Sequence, residues 1–299
     1  MLDTAFWQQE PFSAVFASKP TQLGQVKILK DNTDCQVSSL PEDSFLALFR
    51  YLHRSAAKLK KAAAVKRVGL ASDHASVYLL PMHGLSADWQ QMSSLGSTGH
   101  PHYSEVYAGY LMTCSGPRQS PEALTRIQKM LCMPKQLDTT FYGDSTNLFA
   151  NLIRGDGQQY RFYDKSHVAL LTPFSHSPGC TVVLPREYLP SDIFSIAEDR
   201  FMQYVAAAFE VMAILKEGLK VDQVAVFFEG YEIDFAHIKL YPIPRERRQG
   251  EQGHERFFET YPGYLTTQEG PEMSEETRET TERLLVQILE SKKEAGSRS

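Results

Sequence analysis

The chain carries one text twice. Tyr107-Ala-Gly-Tyr-Leu-Met-Thr-Cys-Ser-Gly-Pro117 returns as Tyr261-Pro-Gly-Tyr-Leu-Thr-Thr-Gln-Glu-Gly-Pro271. Upstream the register holds: Gly24-Gln-Val-Lys-Ile-Leu29 matches Gly179-Cys-Thr-Val-Val-Leu184, and Ser39-Leu-Pro-Glu-Asp-Ser-Phe45 matches Ser195-Ile-Ala-Glu-Asp-Arg-Phe201. The copies lie about 155 residues apart, far beyond the roughly 20–50 residues of a solenoid unit that cannot fold alone. Each copy is therefore domain-sized, and 299 residues accommodate two units at about 100–200 residues per domain. The boundaries that follow are 1–133 for the first copy, 134–146 for a linker, 147–291 for the second copy with its C-terminal extension, and 292–299 for a tail.

The order of elements repeats as well. Val168-Ala-Leu-Leu171 and Thr181-Val-Val-Leu184 are apolar stretches separated by Pro173, Ser175, Pro178 and Gly179, which predicts strand, turn, strand. Ser195 and Glu198 have capping-box spacing, and Phe201, Val205, Ala208, Met212 and Leu215 follow at three- and four-residue intervals. This predicts a helix that Gly218 ends in a left-handed conformation. Ser39 and Glu42, then Phe45, Phe49, Leu52, Ala56 and Leu59, predict the same helix in the first copy. Two apolar stretches follow each helix and end at a proline, Pro81 in the first copy and Pro242 in the second. Ser120-Pro121 and Ser274 predict a closing helix for each copy. Strand, strand, helix, strand, strand is an α+β plan with an antiparallel sheet and helices on one side.

Composition excludes several classes of function. With 42% hydrophobic residues, 22% charged residues and a net charge of −5, the chain falls among ordinary soluble proteins. No run of about 18 apolar residues and no basic, then apolar, N-terminus occurs, so the expectation is a cytoplasmic protein without membrane contact. Net acidity argues against wrapping nucleic acid, which needs Lys and Arg against phosphates. The basic groups Lys58, Lys60, Lys61, Lys66 and Arg67, and Arg245, Arg247 and Arg248, read as solvated faces or loops. Cys35, Cys114, Cys132 and Cys180 lack paired spacing and read as reduced thiols rather than disulfide partners or zinc ligands. No metal and no cofactor is called for, and His100-Pro-His102 reads as a surface turn.

The second copy resembles the histidine-triad superfamily of nucleotide hydrolases and transferases, over about Asn147 to Pro242. Leu148-Phe-Ala-Asn-Leu-Ile-Arg-Gly155 resembles that family's opening strand, and Phe162-Tyr-Asp-Lys-Ser-His-Val-Ala-Leu-Leu171 its next strand. Ser177-Pro-Gly-Cys-Thr-Val-Val-Leu-Pro-Arg-Glu-Tyr188 resembles the family's glycine-led apolar strand that ends in proline and a basic residue. Through the repeat, the first copy is a more diverged member that lacks the opening strand. The resemblance implies two histidine-triad-like domains paired as an intrachain pseudo-dimer, hence a monomer with an internal pseudo-two-fold axis.

In that family three histidines alternate with apolar residues, and alternate side chains of a strand share one face. The matching segment here is Phe235-Ala-His237-Ile-Lys239-Leu-Tyr241-Pro242. His237 stands at the position of the family's nucleophile, which attacks the α-phosphate of a nucleotide to form a phosphoramidate. Phe235 replaces the first histidine, and Lys239 replaces the third as an electrostatic partner for the phosphate. Cys180 takes the place of a further family histidine, Thr172 the place of a ribose-holding residue, and Glu229 and Gly230 offer amides for an oxyanion.

The resemblance thus implies a catalytic pair, His237 and Lys239, and a nucleotide-binding set, Thr172, Glu229, Gly230 and Phe235. In the first copy His74, Ser76 and Tyr78 take the triad positions, which leaves serine where the nucleophile would be. The implied function is binding of a nucleotide or nucleotide conjugate, with phosphohydrolase or nucleotidyl-transfer activity weak or lost. A non-catalytic interaction scaffold that retains the fold is the alternative. Tyr107, Tyr110, Tyr261 and Tyr264 are expected to pack each copy's C-terminal extension against its own sheet.

Overall fold

A computed structural model describes residues 5–20, 24–72, 75–83, 110–113, 118–131, 134, 136–157, 160–174, 178–230, 233–243, 265–268, 272, 274–276 and 278–283. The hairpin β1 (Ala5–Gln9) and β2 (Phe12–Phe16) leads to β3 (Val26–Lys30) and the short β4 (Thr33–Asp34). A 3-10 turn over Val37–Ser39 precedes α1 (Glu42–Ala62), and β5 (Arg67–Ser72) and β6 (Val77–Met82) follow. Next come β7 (Tyr110–Thr113), α2 (Pro121–Met130) and α3 (Leu148–Arg154). Then β8 (Arg161–Asp164), β9 (His167–Leu171) and β10 (Thr181–Pro185) lead through a 3-10 turn over Ile193–Ser195 into α4 (Glu198–Leu219). The strands β11 (Gln223–Phe228), β12 (Ile238–Ile243) and β13 (Leu265–Gln268) follow, and residues 275–276 and 278–283 are helical.

The fold is α+β, built on one 11-stranded antiparallel sheet in the order β1-β2-β3-β6-β5-β11-β12-β10-β9-β8, with β4 beside β3. Under the sequence repeat β1, β2, β3, β6 and β5 correspond to β8, β9, β10, β12 and β11. The order therefore reads the same from either edge. At its centre β5 meets β11, with Ala71 opposite Phe227 and Leu70 opposite Phe228. Beside them Ser72 Oγ accepts from the amide of Val226 at 2.7 Å, which extends this short seam.

Alternate burial sets the two faces of the sheet. Phe45, Leu52 and Leu59 of α1, and Phe201, Val205 and Leu215 of α4, share one core with Val26, Ile28, Leu70, Leu79, Val226, Ile238 and Leu240 of the strands. On the opposite face Ala71, Leu80, Cys180, Ala225, Phe227 and Tyr241 cluster at the centre. There α3 also contributes Phe149, Ala150 and Ile153 to a cluster with Val168, Leu170, Val182, Leu184 and Phe235. Each fully buried apolar side chain stabilises the fold by about 1.5–3 kcal/mol, so a one-residue slip that reversed the faces would be strongly penalised.

Contacts between α1 and the second half of the chain come in reciprocal pairs. The His53 ring lies 4.7 Å from Phe201, and Phe209 lies 5.0 Å from Phe45. Lys60 Nζ reaches Asp192 Oδ2 at 2.8 Å, and Lys216 Nζ donates to the carbonyl of Ser38 at 2.7 Å. The repeat matches His53 to Phe209, Phe45 to Phe201, and Lys60 to Lys216. These contacts match across the repeat, whereas the Arg54–Glu198 pair does not, because its matching positions, Glu210 and Glu42, carry like charges.

Several sequence expectations need correction. The segment Leu148–Gly155, expected as a strand, is the helix α3: Asn147 accepts from the amide of Phe149 at 3.0 Å, and Gly155 closes it at φ 112°. Phe149, Ala150 and Ile153 recur at helical spacing and are buried, which decides the matter over the segment's β-like apolar run. No opening strand is thus missing from the first copy, whose hairpin β1–β2 matches β8–β9. The capping boxes do not form either. Pro41 and Ala197 are the N-caps, without side-chain cap bonds, and Ser39 and Ser195 belong to the 3-10 turns. There Ser195 Oγ donates to the carbonyl of Asp192 at 2.7 Å.

The end of α4 also differs: Lys220, at φ 56°, adopts the left-handed conformation expected of Gly218. Gly218 lies inside the helix, where a Cβ would come within 2.6 Å of the Met130 carbonyl at the end of α2. The strands β6 and β12 run through Pro81 and Pro242 rather than ending there. Their outer neighbours stop pairing at Leu79 and Leu240, so a missing amide costs no ladder bond on that side. Within the repeated tyrosine-glycine stretches, the described strands β7 and β13 pair with each other in a two-stranded antiparallel sheet. Tyr107, Gly109, Tyr261, Gly263 and Tyr264 lie outside the described residues, as do His74, His100 and His102. The start of α2 agrees with expectation, with Ser120 Oγ accepting from the amide of Ala123 at 3.2 Å.

Candidate functional site

The entry to β12 is held in place from the helix side. The amide of Ala236 donates to the carbonyl of Leu189 at 2.9 Å. The fully buried Tyr204 of α4 sets its hydroxyl between β10 and β12. That oxygen accepts from the amide of Ile238 at 3.1 Å and faces the carbonyls of Val183 and, at 3.2 Å, Ala236. The phenol thereby pins the residues on both sides of His237. A buried tyrosine needs such partners, and its hydroxyl here takes the place of missing backbone ladder bonds.

His237 is 3% exposed and points away from the helices, because Ala236, Ile238 and Leu240 point toward them. Its Nδ1 lies 2.7 Å from the carbonyl of Phe235, and its ring packs 5.3 Å from that of Phe149. A carbonyl can only accept, so Nδ1 carries the proton and Nε2 keeps the lone pair. Burial, then the charge of Lys239, push the pKa of His237 down to about 4. At neutral pH the ring is uncharged, in the tautomer that a nucleophile or hydrogen-bond acceptor at Nε2 requires.

Lys239 pairs in register with Phe227 of β11, so Glu229, two residues further, falls beside His237. The Glu229 carboxylate forms an ion pair with Lys239, and both residues are buried. Such a pair gains Coulomb energy in a medium of low dielectric but loses the hydration of both ions, so its net contribution is small. Its chemical effect is larger: the lysine's charge is compensated within the site. An incoming phosphate would compete with Glu229 for Lys239.

The turn after β11 is also tightly held. Gly230 has φ 69°, and a Cβ there would stand 2.6 Å from the carbonyl of Ser191. Its own carbonyl accepts from Arg67 Nη1 at 3.2 Å. Phe235 is fully buried with its ring 5.8 Å from Phe149, 6.1 Å from Phe141 and 6.0 Å from Tyr188. It therefore acts as packing behind His237, where the family pattern has a histidine.

Thr172 lies apart from this group. Its amide donates to the carbonyl of Cys180 at 2.9 Å, and the strand register sets that pair beside Tyr241, four residues along β12 from His237. At about 3.4 Å per residue the offset is roughly 14 Å. Cys180 is buried in the central cluster with Phe227 and Tyr241. The structure thus brings together His237, Lys239, Glu229, Gly230 and Phe235, and leaves Thr172 at the far end of the strands.

In the first copy the equivalent position carries Ser76, also 3% exposed, with its hydroxyl 3.4 Å from Asp34 Oδ2. Asp34 in turn pairs with Lys27 at 2.7 Å. Tyr78, matching Lys239, sits between Lys27 and Ala71 in the sheet register.

Sequence reasoning missed Tyr204, whose signal was a polar tip on the apolar stripe of α4 beside Phe201 and Val205. It also missed the buried ionic group behind α3. There Arg161 donates to the carbonyls of Leu152 and Ile153 at 3.0 and 2.9 Å and to that of Asp138 at 2.7 Å. Asp164 binds both Arg161 and Arg186, and Arg186 also donates to the carbonyl of Thr140 at 2.9 Å. This group ties residues 138–140 and the end of α3 to β8.

Among the described residues no group of three or more His, Cys, Asp or Glu side chains could hold a metal ion. Nor is any described helix long and apolar enough to cross a membrane. No protein-family model matches the chain, and no curated protein matches it.

Proposed function

We propose that this chain is a tandem histidine-triad-like protein, its two copies paired as an intrachain pseudo-dimer, which binds a nucleotide or nucleotide conjugate beside His237. The observation that carries the reading is the state of that histidine: Nδ1 is tied to the Phe235 carbonyl and the ring is neutral, leaving a lone pair at Nε2. The mirrored strand order and the reciprocal Lys60 and Lys216 contacts support the pseudo-dimer. Turnover is weak or lost. A phosphate in flight needs converging donors, and this site offers one lysine already paired with Glu229 and a phenylalanine in place of a histidine.

The scaffold reading draws on the same ion pair, since a site without net charge attracts polyanions poorly. Titration calorimetry with a mononucleotide and a dinucleoside polyphosphate separates the two. Saturable binding that His237→Ala weakens at least 10-fold, with turnover below about 1 s⁻¹, is the expected result. No binding at millimolar ligand would leave the scaffold.

A further inference from the structure

The turn that carries Glu229 and Gly230 is held by a residue of the other copy. Arg67, the first residue of β5, extends one guanidinium nitrogen, Nη1, to two acceptors: the hydroxyl oxygen of Ser191 at 3.0 Å and the carbonyl of Gly230 at 3.2 Å. The Ser191 hydroxyl spends its proton on Asp234 Oδ1 at 2.7 Å, so its oxygen is free to accept from the arginine. Asp234 Oδ2 accepts from the Tyr188 hydroxyl at 3.1 Å. The next residue, Phe235, provides the carbonyl that orients His237. The connection between β11 and β12 is thus fastened at Gly230 and again at Asp234, and both fastenings lead back to Arg67.

The opposite end of the seam is built differently. Gln223 opens β11 as Arg67 opens β5, and it pairs with Ile243 as Arg67 pairs with Met82. Of these two matched positions, the one on the side of the His237 turn carries a charged, multi-donor side chain and the other a neutral amide. Gly230 lets the turn approach Ser191 this closely, because a Cβ there would stand 2.6 Å from the Ser191 carbonyl.

We propose that Arg67 is a positioning residue for the His237 site, supplied to the second copy by the first, whose own equivalent of His237 is Ser76. The inference rests on the site reading above. Arg67 acts through Gly230, Ser191 and Asp234: it holds Glu229 against Lys239 and holds the Phe235 carbonyl under Nδ1 of His237. Both bonds leave one nitrogen, and a lysine ammonium also carries enough donors for two, but its stem is about one bond shorter and does not bring Nζ to the place of Nη1 without strain, so it substitutes in part.

The test compares the full-length chain with Arg67→Met, Arg67→Lys and, as the symmetry-related control, Gln223→Met. Hydrogen exchange of the 229–237 amides and the imidazole NMR signal of His237 are read for each, together with mononucleotide affinity. The expected result is at least 10-fold faster exchange at 229–237 and a shifted His237 signal in Arg67→Met, partial recovery in Arg67→Lys, and an unchanged His237 signal in Gln223→Met. Exchange in α1 and α2 stays at its original rate. Unchanged exchange and an unchanged His237 signal in Arg67→Met would overturn the positioning role, as would acceleration spread evenly over the chain. If the unmodified chain binds no nucleotide, the functional reading fails, while the exchange and imidazole data still decide the role of Arg67.

Discussion

The two copies share a strand order and differ in what they bury near the triad positions. The second copy buries His237, Lys239 and Glu229 there, with Tyr204 behind them. In the first copy Ser76 stands for His237, Tyr78 for Lys239, and Leu48 for Tyr204, so the helix that backs the strand presents a hydrocarbon rather than a hydroxyl. The outer strands differ in the same sense. Arg161 and Asp164 of β8 belong to a buried ionic group, whereas Gln8, the counterpart of Asp164 in β1, makes an exposed bond to Glu10. Buried polar groups are retained only where each finds partners. The second copy therefore carries a desolvation cost at these positions that the first does not.

The largest expected effect concerns the ionic group. Asp164→Asn removes the buried carboxylate shared by Arg161 and Arg186, leaving Arg186 only the exposed Asp138 at 3.5 Å, and should cost about 3–5 kcal/mol in urea unfolding. Gln8→Ala at the matching place should leave the unfolding midpoint where it is. A loss under about 1 kcal/mol for Asp164→Asn would erase this difference between the copies.

The pH dependence of stability comes next. Burial, then Lys239, holds His237 at about 4, and burial, then Arg186, holds His167 at about 4, each against 6.5 for a free imidazole. Between these values the unfolded chain binds more protons than the folded one, so stability is full above about pH 6.5 and falls as the pH drops toward 4. From pH 7 to pH 5 the loss should be about 2 kcal/mol for each histidine. Urea titrations at the two pH values check this, and replacing both residues by glutamine should flatten the slope. A slope that survives the double replacement would place the sensitivity elsewhere.

The smallest effect sharpens the comparison at the helix. Tyr204→Phe removes the hydroxyl that serves Ile238, Val183 and Ala236, and should cost about 1–2 kcal/mol by leaving buried backbone groups unmatched. The imidazole signal of His237 should broaden at the same time. Leu48→Ile in the first copy should leave that signal unchanged.

The repeat, the two long amphipathic helices and the strands following each of them were all legible in the residues. Apolar periodicity and turn chemistry are local, and each reports on its own segment. His237 was singled out by the resemblance to the histidine-triad pattern rather than by periodicity, and the alternation of Ala236, Ile238 and Leu240 with it is what sets its face of the sheet. Where a local signal competed with another, tertiary contact chose. The Leu148–Gly155 segment became a helix because Asn147 caps it and the end of the helix meets Arg161. The serine-glutamate spacing before α1 and α4 yielded 3-10 turns because Ser39 and Ser195 found partners inside those turns.

What no reading of the residues in order reached is what forms only when separate elements meet. The pairing of β7 with β13, the compensation of Lys239 by Glu229, the hydroxyl of Tyr204 between β10 and β12, and the reach of Arg67 to Ser191 and Gly230 are of this kind. Period and capping depend on a few neighbouring positions. These contacts join residues as far as 163 apart, from Arg67 to Gly230, and exist only once the strands and helices have come together, the Arg67 contacts only once the sheet has closed across the seam.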